Sequence, residues 1–275
     1  MNATTFDNVV LETIELAGMR AEHSIPAIKT CKVPFVFVHG MCCEGKIFEV
    51  LMKALGNLGY ESFAVTLREH RSGPASPGAG RVSIRDHITD VERFLLALGR
   101  RVILSGHSMG EIIAASVAKR NESLVVAHIG MTSAPPRGVF MGIKMILRLH
   151  RYLLKMILHQ PLKLTAADTK YLLFNRLSAH DAEKLIAELG YESGAAAFEM
   201  TYWKYDIERL SSPSLVIGAQ YDNITPNQRA VARKLGAEFL EVPCCHMVMN
   251  DPQYMSVVQV IDTWLNQKIQ WAFAV

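Results

Sequence analysis

The chain has 275 residues, of which half are hydrophobic and a fifth are charged, and its formal net charge is +3. This length can bury one large core, or a core with an insertion. The weak charge is spread along the chain, which argues against a nucleic-acid partner, and no run of about 18 uncharged apolar residues indicates a transmembrane segment.

The chain begins with MNATTFDNVVLETIEL, which lacks the basic head and the apolar run of a signal peptide. Its five cysteines include the adjacent pairs at 42–43 and 244–245 and leave an odd one, a poor framework for the disulfides of a secreted protein. Both observations predict a cytoplasmic protein.

Segments typical of buried strands and of helices alternate along the chain. VPFVFVHG at 33–40 is a continuous apolar run that ends in glycine, as expected for a strand buried on both faces. Further strands are predicted at 60–67, 101–108, 123–131, 214–219 and 237–243, and helices at 46–59, 83–99 with Ser83 as N-cap, 109–120, near 226–236 and near 253–270. The alternation predicts an α/β fold with a mostly parallel, doubly wound sheet covered by helices.

The strand signal disappears between the two prolines at 135–136 and about residue 211. GIKMILRLHRYLLKMILHQ and SAHDAEKLIAELG in this region have helical periodicity. We therefore predict a core made of residues 1–134 and 212–275 and a helical insertion at 135–211 that lies over one edge of the sheet.

The pentapeptide Gly106-His107-Ser108-Met109-Gly110 lies where a predicted strand runs into a predicted helix. A serine on such a sharp turn projects its hydroxyl, and side chains two residues away on either side would collide with neighbouring backbone, which explains Gly106 and Gly110. The N-terminal N–H groups of the following helix point to the place where an oxyanion would form. This context predicts that Ser108 is a nucleophile.

A serine nucleophile needs a base, and the base needs an acid that orients it. In this topology the acid and then the histidine follow the serine along the chain. Of ten histidines only His246 lies beyond the strand at 214–219, and GAQYDNITP after that strand supplies Asp222. Asp206 and Glu241 remain alternative acids.

Over most of its length the sequence resembles the α/β-hydrolase superfamily, through VHG at 38–40, LREHRSG at 67–73, GHSMG at 106–110, GAQYDNITP and the CCHM histidine loop. The resemblance implies that Ser108 is the nucleophile, His246 the general base and then acid, and Asp222 the orienting acid. It also implies an oxyanion hole formed by the N–H groups of Met41 and Met109, and it makes the insertion similar to a cap domain.

Two features qualify the resemblance. The nucleophile is serine rather than aspartate, which disfavours the haloalkane-dehalogenase and epoxide-hydrolase branches. Glu111 stands where many relatives have a second glycine, and it either favours the helix N-terminus electrostatically or changes substrate access.

Several side chains near the predicted site are candidates for lining a pocket: His39, Cys42, Cys43, His107 and Met247. The two histidines are more simply structural. The cysteine pairs are either soft apolar lining or a redox or metal element, with a Cys43–Cys244 disulfide as the sharpest version. Methionines flank the predicted catalytic positions, which indicates a pocket for an apolar acyl or ring group.

Basic residues recur in the insertion at Lys144, Arg148, Arg151 and Lys155, on a helix that also carries apolar residues. An anionic substrate tail, a carrier protein or a membrane surface could use this stripe, and a solvated face is the simpler interpretation.

These patterns predict a cytoplasmic serine hydrolase that cleaves a carboxylic ester, thioester or lactone of an apolar acyl group through an acyl-enzyme, without cofactor or metal. The partner is a small molecule rather than nucleic acid, and the oligomeric state is left open. Two alternatives remain: acid–base chemistry without an acyl intermediate, as in hydroxynitrile lyases and cofactor-free dioxygenases, or a receptor-like protein that only binds its ligand.

Overall fold

The computed structural model describes residues 9–71, 73–202 and 205–273. Eight strands form one sheet in the order β1-β2-β4-β3-β5-β6-β7-β8. They are β1 (Val9–Leu16), β2 (Met19–Pro26), β3 (Phe35–Val38), β4 (Ser62–Val65), β5 (Val102–His107), β6 (Val125–Met131), β7 (Ser214–Ala219) and β8 (Glu238–Val242). From β4 to β8 all neighbours are parallel, whereas β2 is antiparallel to both β1 and β4.

Ten α-helices accompany the sheet within the described residues. They are α1 (Glu49–Asn57), α2 (Ile84–Leu98), α3 (Met109–Arg120), α4 (Ile143–Leu149), α5 (Leu153–Ile157), α6 (Ala166–Leu172), α7 (Ala179–Glu188), α8 (Gly194–Thr201), α9 (Gln228–Leu235) and α10 (Tyr254–Lys268). Alternate residues of the strands enter two apolar cores. One core contains α1 and α10, and the other contains α2, α3 and α9. The predicted mostly parallel, doubly wound α/β sheet is confirmed.

The central strands agree with the sequence pattern because they are buried on both faces. Every residue of β3, β5, β6 and β7 is buried, as their continuous apolar runs indicated. At the start of α2, the Ser83 hydroxyl accepts a hydrogen bond from the Asp86 N–H, and the Asp86 carboxylate accepts one from the Ser83 N–H. This capping box fixes where the helix begins.

The β1–β2 hairpin was not predicted. Its turn places Ala17 and Gly18 at φ of 53° and 77°, a pair of positive values typical of a tight two-residue hairpin. The alternating burial of β1 is the signal that could have revealed it. Residues 1–8, which carry half of the segment used to argue against a signal peptide, lie outside the described residues.

Helices α4 to α8 lie in the insertion, between β6 and β7 along the chain. The helix expected over GIKMILRLHRYLLKMILHQ is divided, because a 3-10 turn at His150–Tyr152 separates α4 from α5. The domain boundaries at 134–135 and 211–212 stay a prediction. None of the helices among the described residues is long and apolar enough to cross a membrane.

Candidate active site

Ser108 occupies the turn between the end of β5 and the start of α3, with φ of 54° and ψ of −119°. These angles are strained for a residue with a side chain. A Cβ at Gly106 would overlap backbone atoms of Gly110 and Glu111, and a Cβ at Gly110 would overlap the carbonyl oxygen of Val38. Both glycines are therefore needed for α3 to pack this closely against β3 and β5.

His246 and Asp222 meet at the same edge of the sheet as Ser108. Asp222 follows β7 and His246 follows β8, and the His246 Nδ1 lies 3.0 Å from the Asp222 Oδ1. The same carboxylate oxygen accepts the N–H of Ile224 at 2.7 Å. These contacts orient the imidazole, and its Nε2 is buried without a partner among the described residues.

The alternative acids are elsewhere. The Asp206 carboxylate pairs with the Lys234 ammonium at 2.7 Å, and Glu241 is exposed on β8. The structure thus brings Asp222, and neither of the other two carboxylates, to His246.

The proposed oxyanion donors lie at the ends of neighbouring strands. Met109 is the first residue of α3, and Met41 belongs to the loop of residues 39–44 after β3, hereafter the β3–α1 loop. Because β3 and β5 pair directly, these two segments flank the turn at Ser108. The role of their N–H groups stays a prediction.

His107 and Thr132 hold the backbone of His246. The His107 Nε2 lies 3.1 Å from the His246 carbonyl oxygen, and the Thr132 hydroxyl donates to the same oxygen at 2.8 Å. Burial, with the charge of the neighbouring His246, lowers the pKa of His107 to about 3, so this ring is neutral. Thr132 was not singled out in the sequence, although its place just after β6 puts it at the same sheet edge.

His39 fixes the β3–α1 loop. Its Nε2 accepts the N–H of Leu67 at 3.0 Å, so its Nδ1 carries the proton and donates to the Gly40 carbonyl at 2.8 Å. Burial, followed by the charge of His70, holds the pKa of His39 well below its ordinary value. His39 thus has a structural role and does not line the cavity described below.

The insertion forms hydrogen bonds with the β3–α1 loop through both backbone groups of Cys42. The Cys42 N–H donates to the Glu192 carboxylate at 3.0 Å, and the Cys42 carbonyl accepts the N–H of Gly190 at 2.8 Å. Cys42 has φ of 63°, a conformation that needs such support. We call these two hydrogen bonds the loop clamp; they hold the residue that follows Met41.

Glu192 is completely buried, and the His70 Nε2 lies 2.9 Å from its Oε2. Burial alone would raise the pKa of Glu192, but the charge of His70 and its hydrogen bond lower it. Burial would likewise lower the pKa of His70, and the charge of Glu192 raises it. Glu192 was not predicted from the sequence, because its partners are distant along the chain.

Among the described residues, one group could bring three metal-ligating atoms together: His70, His87 and Glu192, whose ligand atoms lie within 4.8 Å of one another. His70 and Glu192 already bond each other, so an ion would have to displace that contact. Burial, followed by the charge of His70, lowers the pKa of His87 to about 4. The absence of a metal stays a prediction.

A narrow cavity of about 50 Å³ lies beside Ser108 and His246. Its walls are mostly apolar and rich in methionine: Met41, Met141, Met145, Met156, Met200 and Met247. His107 also lines it, as expected. Cys42 and Cys43, which were expected to line it, are buried outside its walls; Cys42 faces a separate small cavity near Lys163 and Gly190.

All five cysteines are free and buried, so the structure contains no Cys43–Cys244 disulfide. Burial, with the charge of Glu192, raises the pKa of Cys43 to about 12. Burial, with the charge of Asp251, raises the pKa of Cys244 to about 11. Both side chains are thiols at neutral pH, which weakens a redox role.

An eight-stranded, mostly parallel sheet with a serine at a strained strand–helix turn defines an α/β-hydrolase fold. The chain belongs to the alpha/beta hydrolase family, whose pattern matches residues 35–256. A search of curated proteins gives no match.

Solved structures with the same fold have varied activities. A soluble variant of monoglyceride lipase from Saccharomyces cerevisiae is 17% identical with a TM-score of 0.73, and the match covers 98% of each chain. An esterase from Thermogutta terrifontis is 20% identical with a TM-score of 0.66, over 94% of this chain and 98% of that one. An epoxide hydrolase from Vigna radiata is 16% identical with a TM-score of 0.64, over 96% and 99%. These similarities establish the fold and leave the reaction open.

Proposed function

We propose that the protein is a serine hydrolase that cleaves a carboxylic ester, thioester or lactone of an apolar acyl group through an acyl-enzyme. The observation that supports the proposal is that Ser108 and His246 line the same apolar cavity and that the His246 imidazole contacts the Asp222 carboxylate. The five buried free thiols support the reducing cytoplasm as its compartment.

In the proposed mechanism the Ser108 hydroxyl attacks the substrate carbonyl while the His246 Nε2 accepts its proton. Asp222 keeps the imidazole in the tautomer that leaves Nε2 free, since its carboxylate contacts Nδ1. The N–H groups of Met41 and Met109 stabilise the oxyanion. His246 then protonates the leaving group, and water hydrolyses the acyl-enzyme by the reverse sequence of proton transfers.

The insertion acts as a cap in this proposal, because it supplies Met145, Leu149 and Met156 to the cavity wall. A pocket of flexible thioether side chains favours apolar acyl groups and tolerates differences in their shape. We therefore expect medium-length apolar acyl chains to react faster than short polar ones.

The test is a panel of p-nitrophenyl esters and acyl-CoA thioesters of increasing chain length, assayed with wild type and Ser108→Ala. We expect the variant to lose at least about 10⁴-fold in kcat/KM, as for other serine nucleophiles. Ser116→Ala is the matched control, since Ser116 lies in α3, its hydroxyl donates to the Ile112 carbonyl, and it does not line the cavity. Mass spectrometry of the quenched wild type should detect an acyl group on Ser108.

Two other outcomes would replace the proposal. Turnover that needs His246 but leaves no acyl group on Ser108 would indicate acid–base chemistry of the hydroxynitrile-lyase type. Ligand-induced thermal stabilisation without turnover of any ester or thioester would indicate a binding protein.

A further inference from the structure

The outer surface of the insertion exposes an unusual group of apolar side chains. Six of these side chains lie on α4, on α5 and on the residue that follows α5. Each is between 44% and 67% exposed: Ile143, Ile146, Leu147, Leu154, Ile157 and Leu158. We call these six the outer apolar face. Exposed apolar residues are ordinary when scattered, but a contiguous group on one segment marks an interaction surface.

The opposite side of the same helices is also apolar. Met145, Leu149 and Met156 are buried and line the cavity beside Ser108. A helix on the surface of a globular protein normally has one apolar side and one polar side. The inner side already packs these helices against the rest of the protein. Packing within the chain therefore does not explain the outer apolar face.

The charged residues of the chain segment that carries this face have one sign. No aspartate or glutamate occurs from residue 123 to residue 167, whereas that stretch contains six lysines and arginines: Arg137, Lys144, Arg148, Arg151, Lys155 and Lys163. In the whole chain acidic and basic residues are nearly balanced, at 26 and 29. An apolar segment whose own charged residues are all cationic complements an anionic apolar partner.

The structure divides the predicted basic stripe. Arg148 and Arg151 both contact the buried Asp168 carboxylate, at 2.6 Å and 3.2 Å, so they pair within the insertion. Lys144 and Lys155 are exposed next to the outer apolar face, and neither has an acidic partner in the described part of the chain. These two lysines are the cations of the stripe left for an external anion.

We infer that the outer apolar face docks on the surface of a lipid bilayer that contains anionic headgroups. The apolar side chains enter the boundary between headgroups and acyl chains, and Lys144 and Lys155 lie at the level of the lipid phosphates. A second copy of this chain fits less well, because a symmetric contact would bring four lysines together with no carboxylate in the segment to offset them.

The docking bears on the proposed function. The helices that would contact lipid on their outer side form the cavity wall on their inner side. If the chain is the hydrolase proposed above, the substrates that it reaches when docked are acyl esters held in the membrane. This second statement rests on the proposed function, whereas the docking itself does not.

The experiment measures binding by flotation with vesicles of phosphatidylcholine alone and with vesicles that also contain phosphatidylserine. We expect wild type to bind the anionic vesicles at least about tenfold more tightly, with affinity that falls as salt is added. Leu147→Ser/Leu154→Ser should weaken that binding at least about tenfold. Lys144→Gln/Lys155→Gln should weaken it roughly tenfold on anionic vesicles and little on neutral ones.

Matched controls separate docking from general effects. Leu96→Ser/Ile28→Ser removes two apolar side chains that are 63% and 77% exposed but lie outside the insertion. Lys170→Gln/Lys184→Gln removes the same charge from exposed positions of α6 and α7. Both control variants should bind vesicles like wild type, and all variants should keep wild-type hydrolysis of a short soluble ester.

Three outcomes would overturn the inference: no binding of wild type to either vesicle, equal losses in the control variants, or sedimentation showing a dimer that Leu147→Ser/Leu154→Ser dissociates. Ser108→Ala should bind vesicles like wild type. Vesicle binding without any ester hydrolysis would therefore refute the proposed function and leave the docking intact, and hydrolysis without vesicle binding would do the reverse.

Discussion

The side chain of Glu111 lies beneath the turn that carries Ser108. It is completely buried and its carboxylate is 3.2 Å from the His128 Nε2. A Cβ at Gly130 would overlap that carboxylate, so the missing side chain at 130 makes the room for it. Of the two roles considered for Glu111, a change of substrate access is wrong, since the residue points into the core and away from the cavity.

Glu111 should make the stability of the protein depend on pH. Burial raises its pKa above the ordinary value of 4.5. A raised pKa means that the proton is held more tightly in the folded state, so its stabilising contribution is complete at acid pH and is lost as the pH rises through the raised pKa. We expect Glu111→Gln, which stays neutral, to gain in free energy of unfolding relative to wild type as the pH rises above the ordinary carboxyl pKa of 4.5 and through the raised one.

Urea unfolding at several pH values measures this difference. Glu183→Gln, at an exposed position of α7, is the control and should follow wild type at every pH. A constant difference between Glu111→Gln and wild type over the whole range would contradict the prediction, because it would mean that the carboxyl binds its proton equally well in the folded and the unfolded state.

At the level of elements, the loop clamp joins the insertion to the β3–α1 loop. Glu192→Ala would leave the Cys42 N–H and the His70 ring without their buried acceptor, which costs about 2 kcal/mol in free energy of unfolding. Since Met41 precedes the clamped residue, we also expect kcat to fall roughly tenfold while KM changes less, because an oxyanion donor acts mainly in the transition state.

Steady-state kinetics and thermal unfolding of three variants test the clamp. Glu192→Gln keeps a carbonyl acceptor for Cys42 and should recover part of the loss in kcat. Glu188→Ala removes a glutamate from the end of α7 whose contact with Lys46 is long, at 3.8 Å, and solvent-exposed, so it should resemble wild type. A higher KM with unchanged kcat for Glu192→Ala would mean that the clamp shapes the pocket rather than the β3–α1 loop.

At the scale of the whole molecule, the features that depend on local sequence were predicted, whereas those that depend on packing between distant segments were not. Local sequence predicted the buried strands, the N-cap at Ser83 and the need for glycine on both sides of Ser108. These features could be predicted because propensity and steric space depend on neighbouring residues. The order of the residues along the chain also indicated that His246 and Asp222 contact each other, which the structure shows at the edge of the sheet that carries Ser108. Glu192 was missed since its hydrogen bond to Cys42 spans 150 residues and exists only once the insertion packs on the β3–α1 loop.

The prediction that cysteines line the pocket failed for the same reason, because it too depends on long-range packing. Adjacency in sequence to predicted site residues indicated sulfur in the pocket, but the orientation of each side chain is set by the core around it. Cys43, Cys244 and Cys245 all belong to the apolar core that contains α1 and α10. Their reactivity therefore depends on opening of that core and reports on the stability of the fold as a whole.

We expect thiol chemistry to be slow in the native protein. At pH 8 the raised pKa values, about 12 for Cys43 and about 11 for Cys244, leave little thiolate, and burial excludes reagents. Reaction with a disulfide dye should be at least about 100-fold slower in the native state than in guanidinium, where all five thiols of the chain become accessible.

Diamide should leave ester hydrolysis unchanged. Reversible inactivation by diamide that Cys43→Ala prevents would instead establish a redox gate, because only a disulfide involving this position would then account for the loss.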